Sequence, residues 1–230
     1  MKDKKGYAIL LLAKRTRRVL MIHIEDGKAK KQFICSDVKK NVFLIGDSIR
    51  LGYCASVREA LSDVSEVFYV AENCRNTQYV ITSLNSWVNM FSDPTRVDLV
   101  QFNCGHWDIA HWRGGAFSLT SETEYERNLQ IIIDMISQAF PNAKIVFATT
   151  TTMNPSGQLG INPRSNREIS RYNEIAKAVA SKNHIAVNDL FALTKDWDRS
   201  CYKDYCHFTA EASAVLGQGV ATALKSHLCL

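Results

Sequence analysis

Short apolar runs alternating with segments of helical period, from Asn41 to the C-terminus, constrain this chain more than any other feature. Val42–Ile45, Val67–Val70, Val97–Phe102, Ile145–Ala148 and Ile185–Leu190 have the length and near-continuous hydrophobicity of strands buried on both faces. Between them, Val57–Val64, Gln78–Phe91 and Ser165–Ser181 have helical spacing. A further helix starts near Thr120 and carries Leu129, Ile132, Ile133 and Ile136 on one face as far as Pro141. Thr209–His227 predicts a closing helix with Thr209 as its N-cap. Strand and helix in strict alternation, joined by right-handed crossovers, predict a flavodoxin-like three-layer α/β/α fold around a five-stranded parallel sheet. In such a sheet the functional crevice lies at the carboxyl ends of the strands.

Residues 1–41 are different in kind. They hold twelve Lys/Arg against four Asp/Glu, a balance of +8, which leaves −3 for the remainder of a chain whose total is +5. Apolar runs at Tyr7–Ala13 and Arg18–Glu25, then Asp26-Gly27 ahead of Lys28–Cys35, predict short strands with a type I′ hairpin. The division expected is therefore a basic, hairpin-like β appendage over 1–41 and an α/β domain over 42–230. A lysine-rich edge of this kind is ordinarily a solvated face, and no nucleic-acid recognition motif accompanies it, so no nucleic-acid partner is expected. The apolar stretch at Tyr7 is too short to span a membrane and is followed directly by Lys14, Arg15, Arg17 and Arg18. With seven cysteines in no paired framework, free thiols and a cytoplasmic location are the expectation. Oligomeric state is left open.

The polar residues at the strand ends are the parts that acyl transfer needs. The first strand ends in Gly46-Asp47-Ser48, the second in Ala71-Glu72-Asn73-Cys74-Arg75-Asn76-Thr77, and the third in Asn103-Cys104-Gly105-His106-Trp107-Asp108; the loop before the last helix carries Asp204-Tyr205-Cys206-His207. A serine hydroxyl is a poor nucleophile unless a base lies within hydrogen-bond reach. His207 can take the Ser48 proton, and Asp204, three residues earlier, can fix its tautomer and stabilise the imidazolium. At a tight strand-to-helix turn, the helix N-terminus would also stabilise negative charge as it develops. His106, Asp108 and His111 have a spacing that could suggest a metal site, but no second ligand cluster supports one. Cys54 falls within the first helix with no histidine near it in sequence, which argues against a rival nucleophile. Cys201 and Cys206 flank the Asp–His loop and are expected as free thiols.

Gly46-Asp47-Ser48 followed by Ile49-Arg50-Leu51-Gly52-Tyr53 resembles the first sequence block of the SGNH/GDSL hydrolases, and Asp204-Tyr205-Cys206-His207 resembles their last, Asp-x-x-His. The resemblance spans about residues 42–227. It implies Ser48, Asp204 and His207 as catalytic residues and no metal or organic cofactor. Within it, the backbone N–H of Ser48, the backbone N–H of Cys74 (where the family usually has glycine) and the side-chain amide of Asn103 are the expected oxyanion donors. The third block usually reads Gly-x-Asn-Asp, and Trp107 stands where the asparagine would be, so the indole of Trp107 or the ring of His106 could substitute for Asn103. Asp47, Arg50, Arg75, Asn76, Gly105, His106 and Trp107 are candidates for substrate contact, the two arginines for an anionic group if they are not paired with local acids such as Glu72.

The function expected is that of a serine esterase acting on a small-molecule or glycan ester through an acyl-serine intermediate. A small acyl group such as acetyl on a carbohydrate is favoured by the breadth of the family and by Trp107, Trp112 and Phe117, since sugar rings stack on aromatic faces. An O-acyltransferase would use the same triad and differ in how well it excludes water. A non-catalytic α/β binding module is the reading from another class, since fold alone does not imply function.

Overall fold

The computed structural model describes residues 7–9, 21–25, 28–157 and 160–230. Three short strands, β1 (Tyr7–Ile9), β2 (Met21–Glu25) and β3 (Lys28–Lys31), pair antiparallel in the order β1-β2-β3. The Asp26-Gly27 turn expected between β2 and β3 lies outside the described residues, although the pairing of Glu25 with Lys28 is the register of a hairpin.

The five-stranded sheet is parallel throughout. Its strands are β4 (Lys40–Ile45), β5 (Ser65–Tyr69), β6 (Leu99–Phe102), β7 (Lys144–Ala148) and β8 (Ala186–Asn188), in the order β5-β4-β6-β7-β8. This is the expected doubly wound arrangement, with the order reversing at β4. The helices are α1 (Ser48–Ala60), α2 (Thr77–Val88), α3 (Glu122–Ala139), α4 (Asn166–Lys182), α5 (Leu190–Thr194) and α6 (Ala210–Leu228). The run expected as strand through Leu190 stops at Asn188, because Asp189 caps α5 by accepting a hydrogen bond from the Ala192 N–H.

Both faces of the sheet are covered, which explains why its strands are hydrophobic without alternation. From β4, Phe43 and Ile45 join the core under α2, α3 and α4, whereas Val42 and Leu44 join the core under α1 and α6. On the first face, Phe33, Phe43, Phe68, Phe91 and Phe140 pack with neighbouring ring centroids 5.0–6.3 Å apart. Full burial of a ring such as Phe43 or Phe140 contributes about 1.5–3 kcal/mol. Capping boxes start α3 and α4, with Ser121 and Glu124 in one and Ser165 and Glu168 in the other. Thr209 caps α6 as expected, its hydroxyl accepting from the Ala212 N–H.

The packing of α1 on α6 sets up the site. Gly217 of α6 lies so near α1 that a Cβ there would sit 2.7 Å from the Ser56 Cβ and 3.0 Å from the Tyr53 carbonyl oxygen. That close approach joins the first helix of the sheet domain to the last and so brings together the loops at their N-termini. Among the described residues, no helix is long and apolar enough to cross a membrane.

Candidate active site

Ser48 is the first residue of α1, directly after the turn that ends β4. Asp47 caps the helix, its Oδ1 accepting from the Ile49 N–H at 2.9 Å. The Ser48 N–H is one of the first-turn donors that helix geometry leaves without an intrahelical acceptor, and it points the same way as the positive end of the helix dipole. His207 reaches Ser48 from the loop preceding α6: its Nε2 lies 2.8 Å from Ser48 Oγ. On the other side of the ring, Nδ1 lies 2.8 Å from Asp204 Oδ2 and 3.1 Å from Oδ1. Asp204 Oδ1 also accepts the Cys206 and His207 N–H groups, at 2.9 and 2.8 Å. Partial burial opposes its charge, but those two amides and the imidazole prevail and hold the carboxyl below the usual aspartate range. The arrangement suits an Nδ1–H donated to a carboxylate, which leaves Nε2 free to accept a proton from the hydroxyl. A cleft of about 390 Å³ opens beside these groups, with Lys203, Phe208 and Ser213 among its walls.

The second and third loops reach the site but carry different duties from those expected. The Cys74 N–H donates to the Gly46 carbonyl at 3.0 Å, so it braces the nucleophile turn and is not presented to an oxyanion in this geometry. Asn103 is buried, and its amide packs so tightly on Gly46 that a Cβ there would meet Oδ1 at 1.9 Å. Beside it, Asp47 is fully buried, and desolvation raises its carboxyl above the usual range despite the Ile49 N–H, Asn103, Arg50 and Arg164 nearby. Asp47 is thus a helix cap beneath the nucleophile and out of reach of substrate.

Arg50 also departs from its expected role. It is 0% exposed, and its guanidinium donates to the carbonyls of Val70, Gly46 and Glu72 at 2.8, 3.0 and 2.6 Å. It ties the ends of β4 and β5 together and, wholly buried, is not among the walls of the cleft. Arg75 is exposed, adopts a left-handed backbone at φ 52°, and lies over the Tyr79 ring at 4.7 Å. Asn76 caps α2 by accepting from the Tyr79 N–H at 3.1 Å. Glu72 binds Tyr79 and Trp87 through hydrogen bonds of 2.6 Å each and, among the described residues, its carboxylate has no ion pair with Arg50 or Arg75.

The third loop is held from beneath by buried polar groups, of which Tyr125, Thr150 and Arg164 were not singled out from the sequence. Tyr125 and Thr150 both donate to the Cys104 carbonyl, at 2.8 and 3.1 Å. Arg164 donates to the His106 carbonyl. Asp108 accepts from the Thr77 N–H and hydroxyl at 3.0 and 2.7 Å, which fastens this loop to the start of α2. Burial raises the Asp108 carboxyl to about 6 against the effect of the Thr77 and Thr120 bonds. His106 is buried, with Nε2 3.1 Å from Thr151 Oγ1; desolvation, reinforced by Arg164 and His207, keeps it well below the usual imidazole range. A substrate contact through its ring is therefore not available. Its position also breaks up the His106–Asp108–His111 spacing, because His111 turns to Glu168 at 2.7 Å and to the Gly115 carbonyl at 2.8 Å. Trp107 is half-buried, its ring centroid 6.1 Å from that of Trp112, while Phe117 is 86% exposed.

Gly105 has φ 151°, and a Cβ there would lie 1.9 Å from Thr150 Oγ1. Gly105→Ala is expected to cost about 2–4 kcal/mol through backbone strain and overpacking. Urea unfolding of wild type and variant checks this; an unchanged midpoint would mean that Thr150 moves aside freely.

The sequence matches the GDSL-like lipase/acylhydrolase family over residues 44–215. It is 22% identical over 210 residues to a GDSL esterase/lipase of Arabidopsis thaliana, covering 82% of this chain and 87% of that one. Among solved structures, the lipase/acylhydrolase from Enterococcus faecalis superposes with a TM-score of 0.66 at 20% identity, over 82% of this chain and 96% of the other. Est24, a carbohydrate acetylesterase from Sinorhizobium meliloti, gives 0.62 at 14% identity, over 82% and 100%. With that family match running from the nucleophile strand into the closing helix, the chain belongs to the GDSL-like lipase/acylhydrolase family and is a carboxylic-ester hydrolase.

Proposed function

We propose that the protein is a serine esterase that removes a small acyl group, acetyl foremost, from a carbohydrate hydroxyl through an acyl-Ser48 intermediate. The observation that carries this reading is the unbroken relay from Ser48 Oγ to His207 Nε2 and from His207 Nδ1 to Asp204, each at 2.8 Å. Ser48 Oγ attacks the ester carbonyl while His207 Nε2 takes its proton, and Asp204 stabilises the resulting imidazolium. The Ser48 N–H and the N-terminus of α1 face the developing oxyanion. His207 then returns the proton to the leaving sugar hydroxyl. In the second half-reaction it withdraws a proton from water, which attacks the acyl-serine and regenerates the Ser48 hydroxyl.

The size of the cleft, about 390 Å³, lies at the small end of ligand sites and favours a short acyl group. The paired Trp107 and Trp112 rings offer a platform of the kind on which a sugar can stack. The likeness to a carbohydrate acetylesterase agrees with that choice. Hydrolysis of p-nitrophenyl esters of increasing chain length, followed by acetylated mono- and oligosaccharides, tests it. Acetyl is expected to exceed octanoyl by roughly tenfold or more in kcat/KM, and acetylated sugars to release acetate. Preference for long chains, with acetylated sugars untouched, would reject the assignment of substrate while leaving the triad in place.

A further inference from the structure

Beneath the outer edge of the triad, Cys206 has a position that hydrolysis does not use. Its Sγ lies 3.8 Å from His207 Nδ1, the atom that also faces Asp204 Oδ2 at 2.8 Å. One donor atom from each of Asp204, Cys206 and His207 lies within 4.8 Å of the others, the only such group of His, Cys, Asp and Glu found among the described residues. We infer that these three side chains form a binding site for a soft divalent cation, zinc above all, and that its occupation switches the esterase off.

The donor set and spacing fit. Zinc bonds of about 2.0 Å to nitrogen and oxygen and about 2.3 Å to sulfur imply tetrahedral edges of roughly 3.3 Å for N···O and 3.5 Å for N···S. The N···O and N···S distances, 2.8 and 3.8 Å, lie within a fraction of an ångström of those values, while the third edge, from Asp204 to Cys206, lies within 4.8 Å and closes toward roughly 3.5 Å as the metal binds. The turn is fixed in advance by the Cys206 and His207 amides bonded to Asp204. The Asp204 and His207 side chains are 38% and 36% exposed, which gives an ion a path in from solvent, with the buried thiol below. The fourth position falls to water. Thiolate and imidazole select zinc, cobalt or cadmium over magnesium or calcium.

The chemistry balances without any oxidant. The cation takes the Nδ1 lone pair, the ring proton moves from Nδ1 to Nε2, and the Cys206 thiol releases its proton to solvent as the S–metal bond forms. With Nε2 now bearing hydrogen, His207 cannot accept the Ser48 proton. The loss of activity rests on the proposed role of His207 as base, whereas the binding of the metal does not.

Two measurements separate these. Cobalt(II) added to the Ser48→Ala protein is expected to give a near-ultraviolet thiolate-to-cobalt band at one equivalent. The band should disappear when Cys206→Ser is added and persist with Cys229→Ser, which removes the exposed thiol; Cys206→Ala serves if serine is not tolerated. In the active enzyme, micromolar buffered zinc is expected to suppress p-nitrophenyl acetate hydrolysis at least tenfold, reversibly with EDTA, and magnesium to have no effect. Relative to its own zinc-free rate, Cys206→Ser should require at least tenfold more zinc. Absence of the band, or a band and zinc sensitivity unchanged in Cys206→Ser, would overturn the site. A Cys206-dependent band without any hydrolysis to inhibit would keep the site and refute the esterase reading alone.

Discussion

Ser48→Ala is expected to lower kcat for acetyl-ester hydrolysis by about ten-thousand-fold to a million-fold while leaving the protein folded. The size follows from what is removed: the variant has no atom to form the covalent intermediate, and what remains is the stabilisation offered by the backbone N–H at position 48 and by binding. The absence of a folding penalty follows from local contacts. Ser48 is half-buried, and its hydroxyl meets His207 at the open edge of the cleft, so no buried polar atom is left without a partner. A second variant sharpens the result. If Ser48 and His207 act as one unit, Ser48→Ala/His207→Ala should be no slower than either single change, because the rate effects of residues that share one proton transfer do not add. Steady-state kinetics on the three proteins, with thermal unfolding as control and a fluorophosphonate probe to mark the nucleophile, decides it. Activity within tenfold of wild type in Ser48→Ala, or probe attached to another residue, would remove Ser48 from the mechanism.

What the sequence reveals and what it hides divide along a physical line. Strands buried on both faces must be apolar at successive positions, so Val42–Ile45 and Ile145–Ala148 are visible without any structure. Strict alternation with helices makes the strands parallel, and crossover handedness narrows their order, so that Ser48 and the Asp204–His207 loop fall at one end of the sheet. Roles that depend on which partner a polar group meets are not visible. Nothing in Cys74 reveals that its amide is taken by the Gly46 carbonyl, since any residue but proline carries the same donor. Arg164 follows a proline in a loop without period, and only the tertiary fold brings it under the His106 carbonyl. Arg50 is the instructive case, because a signal was there. It lies three and four residues before Tyr53 and Cys54, both buried, and so on the inward side of α1. Its spacing from Tyr53 and Cys54 puts its charge in the core, against the substrate contact expected of it.

Replacing Arg50 with methionine is accordingly expected to act on stability and kcat, and to spare KM. The guanidinium is wholly buried and, among the described residues, makes no ion pair with a carboxylate; its work is to satisfy the carbonyls of Gly46, Val70 and Glu72 at the crowded ends of β4 and β5. Leaving a buried carbonyl without a donor costs about 1–3 kcal/mol; Val70 and Glu72 lose theirs while Gly46 keeps the Cys74 N–H, and relief of the desolvated cation returns part of the cost, so a net loss of about 3 kcal/mol is expected. In a chain of this length that corresponds to a fall of roughly 6–12 °C in Tm. The Gly46 carbonyl stands two residues before Ser48 and has two donors, Arg50 and the Cys74 N–H. With one gone, the nucleophile turn is less firmly set, and a displacement on the scale of an ångström is enough to cost about a hundredfold in rate. Arg50→Lys should fall between, because an ammonium is a single point of charge and cannot span three carbonyls as the planar fork does. Thermal unfolding and the separation of kcat from KM in both variants supply the check. A KM raised tenfold with Tm unchanged would mean that Arg50 reaches the substrate after all, and that the carbonyls at the strand ends find their donors elsewhere.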